Sequence, residues 1–375
     1  MSPALRVLML SKACYVAAYR TKLEALAARG VDLTLVVPPY WRFGRRREPF
    51  EPGNNRGYQL VIVNPLFNGQ HHLHFYPRLG AMLDRVRPTL FHLDEEPYDF
   101  VTVHALLAAR RRGIPTLIFS WQNLDVRYPP PFEWFRAWTL RHVAGAIAGN
   151  AEAAAILRRR GYRGPLAIIP QFGVDLQLFP WRPPLAGPPF RIGYVGRLWP
   201  GKGVDLLLEA VAGLAGDWQL DLLGAGEAEP ALRQQAQQLG IAARVRFLGS
   251  QPSHQVPAFL QTLSVLVLPS RSLPNWKEQF GRVLVEAMAT GVPVIGSSSG
   301  EIPNVIGEAG LVFPEGDVLA LRAQLARLLA DSALQRDLAT RGRERVVAQF
   351  TQERVADATL AFYQQVLTSA RAGAR

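Results

Sequence analysis

The chain of 375 residues has a single cysteine, Cys14, and only four lysines among its 42 basic residues. One cysteine excludes a disulfide framework and any cysteine-based zinc cluster within the chain. It also points to a reducing compartment. Long apolar runs are missing as well. The longest uncharged stretch, 247–270, is interrupted by Gly249, Pro252, His254, Gln255 and Pro257, so no membrane span is expected. The opening run 5–10 contains Arg6 and is too short for a signal-peptide core, so it reads as a first buried strand. Acidic residues are scarce beside basic ones, with 30 against 42 and a net charge of +12. The imbalance lies in the front half: residues 1–180 carry 23 basic and 13 acidic residues, whereas 181–375 carry 19 and 17. Such asymmetry fits an anionic partner, whether nucleic acid, an acidic membrane surface or a phosphorylated substrate. It also fits plain arginine-rich coding.

What is present is an ordinary folded composition, 49% hydrophobic and 19% charged, with length for two domains. Short apolar runs at 6–10, 32–37, 60–63, 89–93, 116–119, 144–148 and 166–169 read as strands. A second series follows at 191–195, 219–223, 245–248, 265–268, 292–295 and 311–313. Amphipathic stretches of helical length, such as 15–29, 228–239 and 318–329, lie between them. Strand–helix–strand alternation predicts parallel sheets with helices on both faces, and it occurs twice. The segment 181–189 has four prolines and a glycine and reads as the linker. The expected domains are therefore 1–180 and 190–350, followed by a helix over 351–375 that packs back on the first domain. Ligands of doubly wound sheets bind at the C-terminal ends of the strands, which directs attention to the segments after them.

Three such segments carry chemistry. Gly196-x4-Gly201-Lys202 follows a strand and nearly matches a phosphate loop, but Gly203 stands where Ser or Thr would hold magnesium, which disfavours an NTPase. Glycines still let backbone amides approach a phosphate, and Arg197 and Lys202 add two cations. In the second segment, Glu278 precedes a helix expected from about Phe280 to Gly291, and Glu286 falls inside its apolar run. A carboxylate there needs a partner, which a ligand hydroxyl or a backbone donor would supply. The amides at Phe280 and Gly281 form a second anion site. The third, Gly224-Ala225-Gly226, lacks the third glycine of a dinucleotide fingerprint, so nicotinamide binding is rejected.

The back half resembles the retaining glycosyltransferases of family 4, the group 1 glycosyltransferases. The matching features are Gly196-Arg197-x4-Lys202-Gly203, Leu223-Gly224-Ala225-Gly226, Val245 to Gly249, Pro269-Ser270 and the Glu278-x7-Glu286 pair with Ala287-Met288-Ala289 after it. The likeness is specific over about 145–317 and loose over 1–140. It implies the GT-B fold: α/β, two Rossmann-like doubly wound parallel-sheet domains facing a central cleft. By the same resemblance Arg197 and Lys202 would neutralise the donor diphosphate, so no metal and no cofactor is expected, the nucleotide-sugar being a substrate. Glu278 would bind the transferred sugar. Glu286 would bind ribose, and Gly196, Phe280 and Gly281 would approach phosphate or sugar. Phe247, Leu248 and Gly249 would border the base.

The front half departs from the family. Ser11-Lys12-Ala13-Cys14-Tyr15 stands where many members have a Gly-Gly loop, and Gln122 is the nearest replacement for a frequent histidine. In the back half, Gly300-Glu301 replaces a second Gly-Gly pair. Lys12, Tyr15, Glu95, Glu96, Gln122 and Asp175 are the acceptor-side candidates. His71-His72-x-His74 invites a metal reading, which lacks a partner fixed by spacing. Tyr40 to Arg47 interleaves aromatics with arginines, as suits an anionic membrane surface, single-stranded nucleic acid or a plain surface loop. Tyr128 to Trp134 is a second aromatic loop, on the acceptor side.

The expectation is a retaining, metal-independent transfer from a nucleotide-diphosphate sugar, UDP-sugar before GDP-sugar, to a carbohydrate or lipid-linked acceptor in polysaccharide or glycolipid assembly. The enzyme would be cytoplasmic, with the inner face of the membrane as a peripheral site. The alternatives are a same-fold epimerase or phosphorylase and a basic nucleic-acid-binding protein. The latter leaves the Arg197/Lys202 and Glu278/Glu286 constellation unexplained.

Overall fold

The computed structural model describes residues 5–44, 46–185 and 187–373. Arg45 of the aromatic–arginine segment and Ala186 of the proline-rich segment lie outside the described residues. Two compact units divide the chain: residues 1–173 together with 352–375, and residues 174–351.

The first unit is built on seven parallel strands: β1 (Arg6–Leu10), β2 (Asp32–Val37), β5 (Gln59–Ile62), β6 (Leu90–Leu93), β7 (Thr116–Ser120), β8 (Gly145–Ala148) and β9 (Leu166–Ile168). Their order is β5-β2-β1-β6-β7-β8-β9. Helices α1 (Thr21–Ala28), α2 (Leu79–Val86), α3 (Phe100–Arg110), α4 (Phe132–His142) and α5 (Ala151–Arg159) join them. A parallel sheet covered on both faces needs strands that are apolar on both faces, which is why these segments read as unbroken apolar runs. Its two cores separate accordingly. Leu8, Leu10, Phe91 and Ile118 point to one side. Val7, Met9, Leu33, Leu35 and Leu117 point to the other, where the terminal helix α13 (Gln352–Gly373) adds Val355, Phe362, Tyr363 and Val366.

The second unit has six parallel strands: β10 (Phe190–Val195), β11 (Trp218–Leu223), β12 (Val245–Gly249), β13 (Val265–Leu268), β14 (Val294–Ser297) and β15 (Leu311–Phe313). Their order, β12-β11-β10-β13-β14-β15, is that of a Rossmann sheet, with the switch point between β10 and β13. Helices α6 (Val204–Ala212), α7 (Glu229–Gln238), α8 (Val256–Leu260), α9 (Arg282–Thr290), α10 (Ile302–Ile306), α11 (Val318–Ala330) and α12 (Ser332–Gln349) complete it around one core.

Three expectations need correction. The boundary falls between Gly173 and Val174, ahead of the proline-rich segment. That segment begins as part of the second unit: Arg182 N donates to Thr290 O, and a Cβ on Gly291 would lie 2.2 Å from Arg182 O. Stretch 15–29 is not one helix. Two 3-10 turns, Ala13–Tyr15 and Ala17–Tyr19, precede α1, because the buried Arg20 guanidinium donates to the carbonyls of Cys14, Tyr15 and Glu51 and holds the chain in turns. The aromatic–arginine segment is an antiparallel hairpin, β3 (Tyr40–Phe43) with β4 (Arg46–Pro49), anchored by the buried Trp41.

Candidate functional site

In the second unit, β10 runs directly into the 196–203 loop. Gly196 N donates to Leu223 O and Leu198 N to Ala225 O, so this loop is laced to the one after β11. A 3-10 turn, Pro200–Lys202, then leads to Gly203 at φ +65, where a Cβ would stand 2.1 Å from Pro269 O. Only glycine fits there, which accounts for the missing Ser or Thr of a phosphate loop.

The turn aims Lys202 at Glu278. Lys202 Nζ donates to Glu278 Oε2 at 2.6 Å, and the buried Ser270 hydroxyl donates to the same oxygen at 2.8 Å. Lys202 comes from the exit of β10 and Ser270 and Glu278 from the exit of β13, so the pair straddles the switch point of the sheet. Trp276 lies 5.1 Å from the Lys202 ammonium and meets Trp199 edge-on at 4.7 Å, forming an aromatic wall. Gly300, at φ +54, lets Glu301 N donate to the Glu278 carbonyl; a Cβ there would be 2.0 Å from that oxygen.

Helix α9 starts at Arg282, with Gly281 at φ +78 as its N-cap, and stops at Gly291. Glu286 is 9% exposed, and Arg282 Nε, one turn earlier, donates to it at 2.7 Å. Burial pushes the Glu286 carboxyl above its ordinary range while Arg282 holds it down. Phe280 packs edge-on against Phe350. Phe247 carries the Arg233 guanidinium 4.3 Å above its ring. Leu248 and Gly249 close β12 half-buried, and Gly249 O accepts from Gly224 N. Arg197 stands apart from this group in bonding: it is 68% exposed at the side chain and donates to Glu227 at 2.9 Å. Asp175 also belongs to this unit, and its carboxylate accepts from Gln177 N in a local turn.

The first unit gathers a second cluster where β1, β6 and β7 end. Lys12 is ion-paired with Glu95 and lies 3.7 Å from Asp99. Asp99 accepts from His72 Nδ1 at 2.7 Å, and His74 Nε2 lies 3.6 Å from Glu95. Lys12 is therefore held as a counter-ion: burial works to lower its ammonium, and the charges of Glu95 and Asp99 overcome that and hold it above the ordinary range. Asp94 accepts from Ser11 Oγ at 2.5 Å and from Gln171 Nε2 at 2.7 Å. Glu96 accepts from Ser120 Oγ at 2.7 Å and from Trp121 N at 2.8 Å.

Two neighbouring glutamates thus diverge. The Lys12 charge and His74 overcome the cost of burial and hold Glu95 down to about 2. Burial dominates at Glu96 and pushes it up to about 7. Gln122 is buried beside them, and its Nε2 has no partner among the described residues. Tyr15 donates to Glu48 at 2.7 Å, away from the cluster. The three histidines diverge: His71 faces Trp41, His72 binds Asp99 and His74 approaches Glu95. Among the described residues no group of three His, Cys, Asp or Glu could hold a metal ion.

Sequence reasoning assigned no role to Ser270, Trp276, Arg282, Glu227 or Asp99, and read His72 only as part of a metal-like triplet. The Arg282–Glu286 spacing of four on a helix was the one available signal. Ser270 reaches Glu278 within one loop, and the rest meet their partners across longer separations in the chain.

Two Rossmann-like α/β units with ligand-ready strand ends define the GT-B class. Residues 178–345 match the family "Glycosyl transferases group 1" and residues 17–171 match "Glycosyl transferase 4-like domain". The chain belongs to the group 1 glycosyltransferases. It is 38% identical over 178 residues to the lipopolysaccharide core biosynthesis glycosyltransferase LpsE of Rhizobium meliloti, covering 47% of this chain and 48% of that protein. It is 28% identical over 314 residues to the 2-deoxystreptamine glucosyltransferase of Streptomyces kanamyceticus, covering 73% of this chain and 79% of that one. The chain spans about half the length of relatives such as LpsE. The fold is similar to that of Anabaena HepE, solved in complex with UDP: TM-score 0.72 and 16% identity over 96% of this chain and 99% of that one. It is also similar to that of the sucrose-phosphate synthase of Thermosynechococcus elongatus: TM-score 0.70 and 22% identity over 97% and 99%.

Proposed function

We propose that the chain transfers a sugar from a nucleoside-diphosphate sugar, a UDP-sugar first, to a hydroxyl of a carbohydrate or lipid-linked acceptor, with retention and without a metal, on the cytoplasmic side. The Lys202–Glu278 pair, seated by Ser270 at the switch point of the second sheet, carries this reading. Breaking the sugar–phosphate bond leaves negative charge on the diphosphate and positive character on the sugar. Lys202 and Arg197 stabilise the first, and the Glu278 carboxylate, released from Lys202 as the diphosphate takes its place, meets the sugar hydroxyls. The departing phosphate oxygen accepts the acceptor's proton as the new glycosidic bond forms on the same face, so no side chain has to act as base. Glu286 is left for the ribose. The acceptor falls to the first unit, where Gln122 offers an unused amide donor and Glu96 a carboxylate near its midpoint at neutral pH. The buried thiol of Cys14 fits a reducing compartment. HepE, whose structure holds UDP, supports uridine as the first base to try.

A thermal-shift series with UDP, GDP and ADP in EDTA, repeated with Glu278→Gln and Lys202→Ala, tests the reading. A nucleotide at a hundred times its dissociation constant stabilises by about 2.7 kcal/mol. The expected result is a shift with UDP in EDTA, kept in Glu278→Gln and weakened about tenfold or more in affinity in Lys202→Ala. Transfer should fall about 100-fold or more in Glu278→Gln. A shift that needs magnesium, or full transfer in either variant, overturns the assignment.

A further inference from the structure

The hairpin β3–β4 and the 64–78 connection between β5 and α2 are clasped into one surface of the first unit. Asn68 accepts from Arg42 N at 3.1 Å and donates to Tyr40 O at 2.8 Å. A Cβ on Gly69 would lie 2.7 Å from the Arg42 Cβ, so the two backbones are in close contact. Trp41 is buried beneath, edge-on to His74 at 4.9 Å, and the Leu66–Phe75 bridge closes the loop.

What this pair of loops shows to solvent is unusual for a folded surface. Phe43 is 48% exposed, Leu66 50%, Phe67 61% and Leu73 46%, and Ile62 at the end of β5 is 48%. One third of the large apolar side chains exposed among the described residues thus fall in a stretch of about thirty positions, a clustering that ordinary scattered exposure does not give. Arg42, Arg46 and Arg47 are exposed on the same hairpin, Arg47 lying 3.7 Å above the Tyr40 ring. Between Glu51 and Asp84 the chain has no acidic residue.

We propose that this hairpin and loop form a docking face for an anionic lipid bilayer, with Phe43, Leu66, Phe67 and Leu73 entering the headgroup–acyl boundary and Arg42, Arg46 and Arg47 resting on lipid phosphates. Aromatic and aliphatic side chains beside arginines with apolar stems match that boundary, where one layer is apolar and the next anionic. The aliphatic members distinguish it from a nucleic-acid surface, which would use rings for stacking on bases. The loop has a second consequence. The same loop places the partly exposed His72 on Asp99 and the buried His74 beside Glu95, so docking at its outer side would bring a lipid-borne acceptor to the polar cluster of the same unit. The docking face itself does not depend on the transfer reading.

Flotation of the full chain with vesicles tests it. The vesicles are phosphatidylcholine alone and phosphatidylcholine mixed with phosphatidylglycerol, each at low and high salt. The expected result is binding to the anionic vesicles, weakened by salt and weak on phosphatidylcholine. The double variant Phe67→Ser/Leu73→Ser should bind about tenfold or more weakly. Arg46→Gln/Arg47→Gln should lose about fivefold per arginine. Both should unfold at the wild-type temperature, since every changed side chain is exposed. Equal binding to both vesicle types, or no binding at low salt, overturns the proposal. So does a dimer that Phe67→Ser/Leu73→Ser disperses without vesicle binding, or oligonucleotide binding that the arginine variant alone abolishes.

Discussion

The two units repeat one construction with different electrostatics. In each, a lysine in the loop after the first strand of the sheet meets a glutamate from the exit of the fourth strand across the switch point: Lys12 with Glu95, Lys202 with Glu278. In the second unit the lysine faces one carboxylate, which Ser270 also satisfies, and an aromatic wall stands beside it. A phosphate that takes the lysine leaves a single carboxylate behind, still hydrogen-bonded by Ser270. In the first unit Asp99 and Glu96 add to the field of Glu95, and the lysine is what keeps them tolerable. The half of the chain with the larger positive charge thus has the acidic strand-end cluster, and the nearly neutral half has one whose cations and carboxylates are paired one to one. Net charge reports on surfaces such as the β3–β4 hairpin, not on the site.

Removing each lysine breaks the comparison most sharply. Lys12→Met leaves Glu95 and Asp99 buried around an apolar side chain and should cost about 3 kcal/mol of stability, read from denaturant unfolding, with UDP affinity unchanged. Lys202→Ala should do the reverse, sparing most of the stability and losing the nucleotide. If Lys12→Met unfolds like wild type, the first-unit lysine is not a counter-ion and the contrast fails.

The adjacent glutamates give the next effect, and its sign differs between them. Glu95 is held down to about 2, so its contribution is present above pH 4.5 and is lost as pH falls from there toward 2. Glu96 is pushed from 4.5 up to about 7, so the folded state binds the extra proton and stability falls as pH rises through that window. Each excursion is worth up to about 3 kcal/mol. Stability measured against pH should lose its decline between pH 4.5 and 7 in Glu96→Gln and lose its acid limb in Glu95→Gln. A Glu96→Gln profile parallel to wild type would show that Glu96 is ionised throughout.

How much of this was legible in the sequence follows from the same physics. Buried parallel strands are continuous apolar runs, so nearly every strand of both sheets could be placed, and two series of them implied two sheets. Lys202, Glu278 and Glu286 stood in motifs. That Lys12 pairs with Glu95 and Lys202 with Glu278 was not legible, because the members are separated by 83 and 76 residues and meet only through strand order. The β3–β4 hairpin was hidden because Trp41 is its one fully buried member, leaving no alternation to read. The prolines of 181–189 mimicked a linker, although the chain passes between units eight residues earlier, at Gly173.

The weakest contrast is the informative one for the second cation of the proposed donor site. Arg197 and Lys202 are both bound to carboxylates, but Lys202 is largely buried with Glu278 while Arg197 and Glu227 are both more than half exposed. An exposed pair holds a side chain only loosely and is screened by salt. Glu227→Gln should therefore leave the unfolding temperature unchanged. It frees Arg197 to meet a diphosphate and should tighten UDP by about threefold at low ionic strength, an advantage that disappears at high salt. Isothermal titration at two salt concentrations checks both parts. Unchanged affinity at low salt would mean that Arg197 does not reach the diphosphate from its place beside Glu227, leaving Lys202 as the cation that the donor meets first.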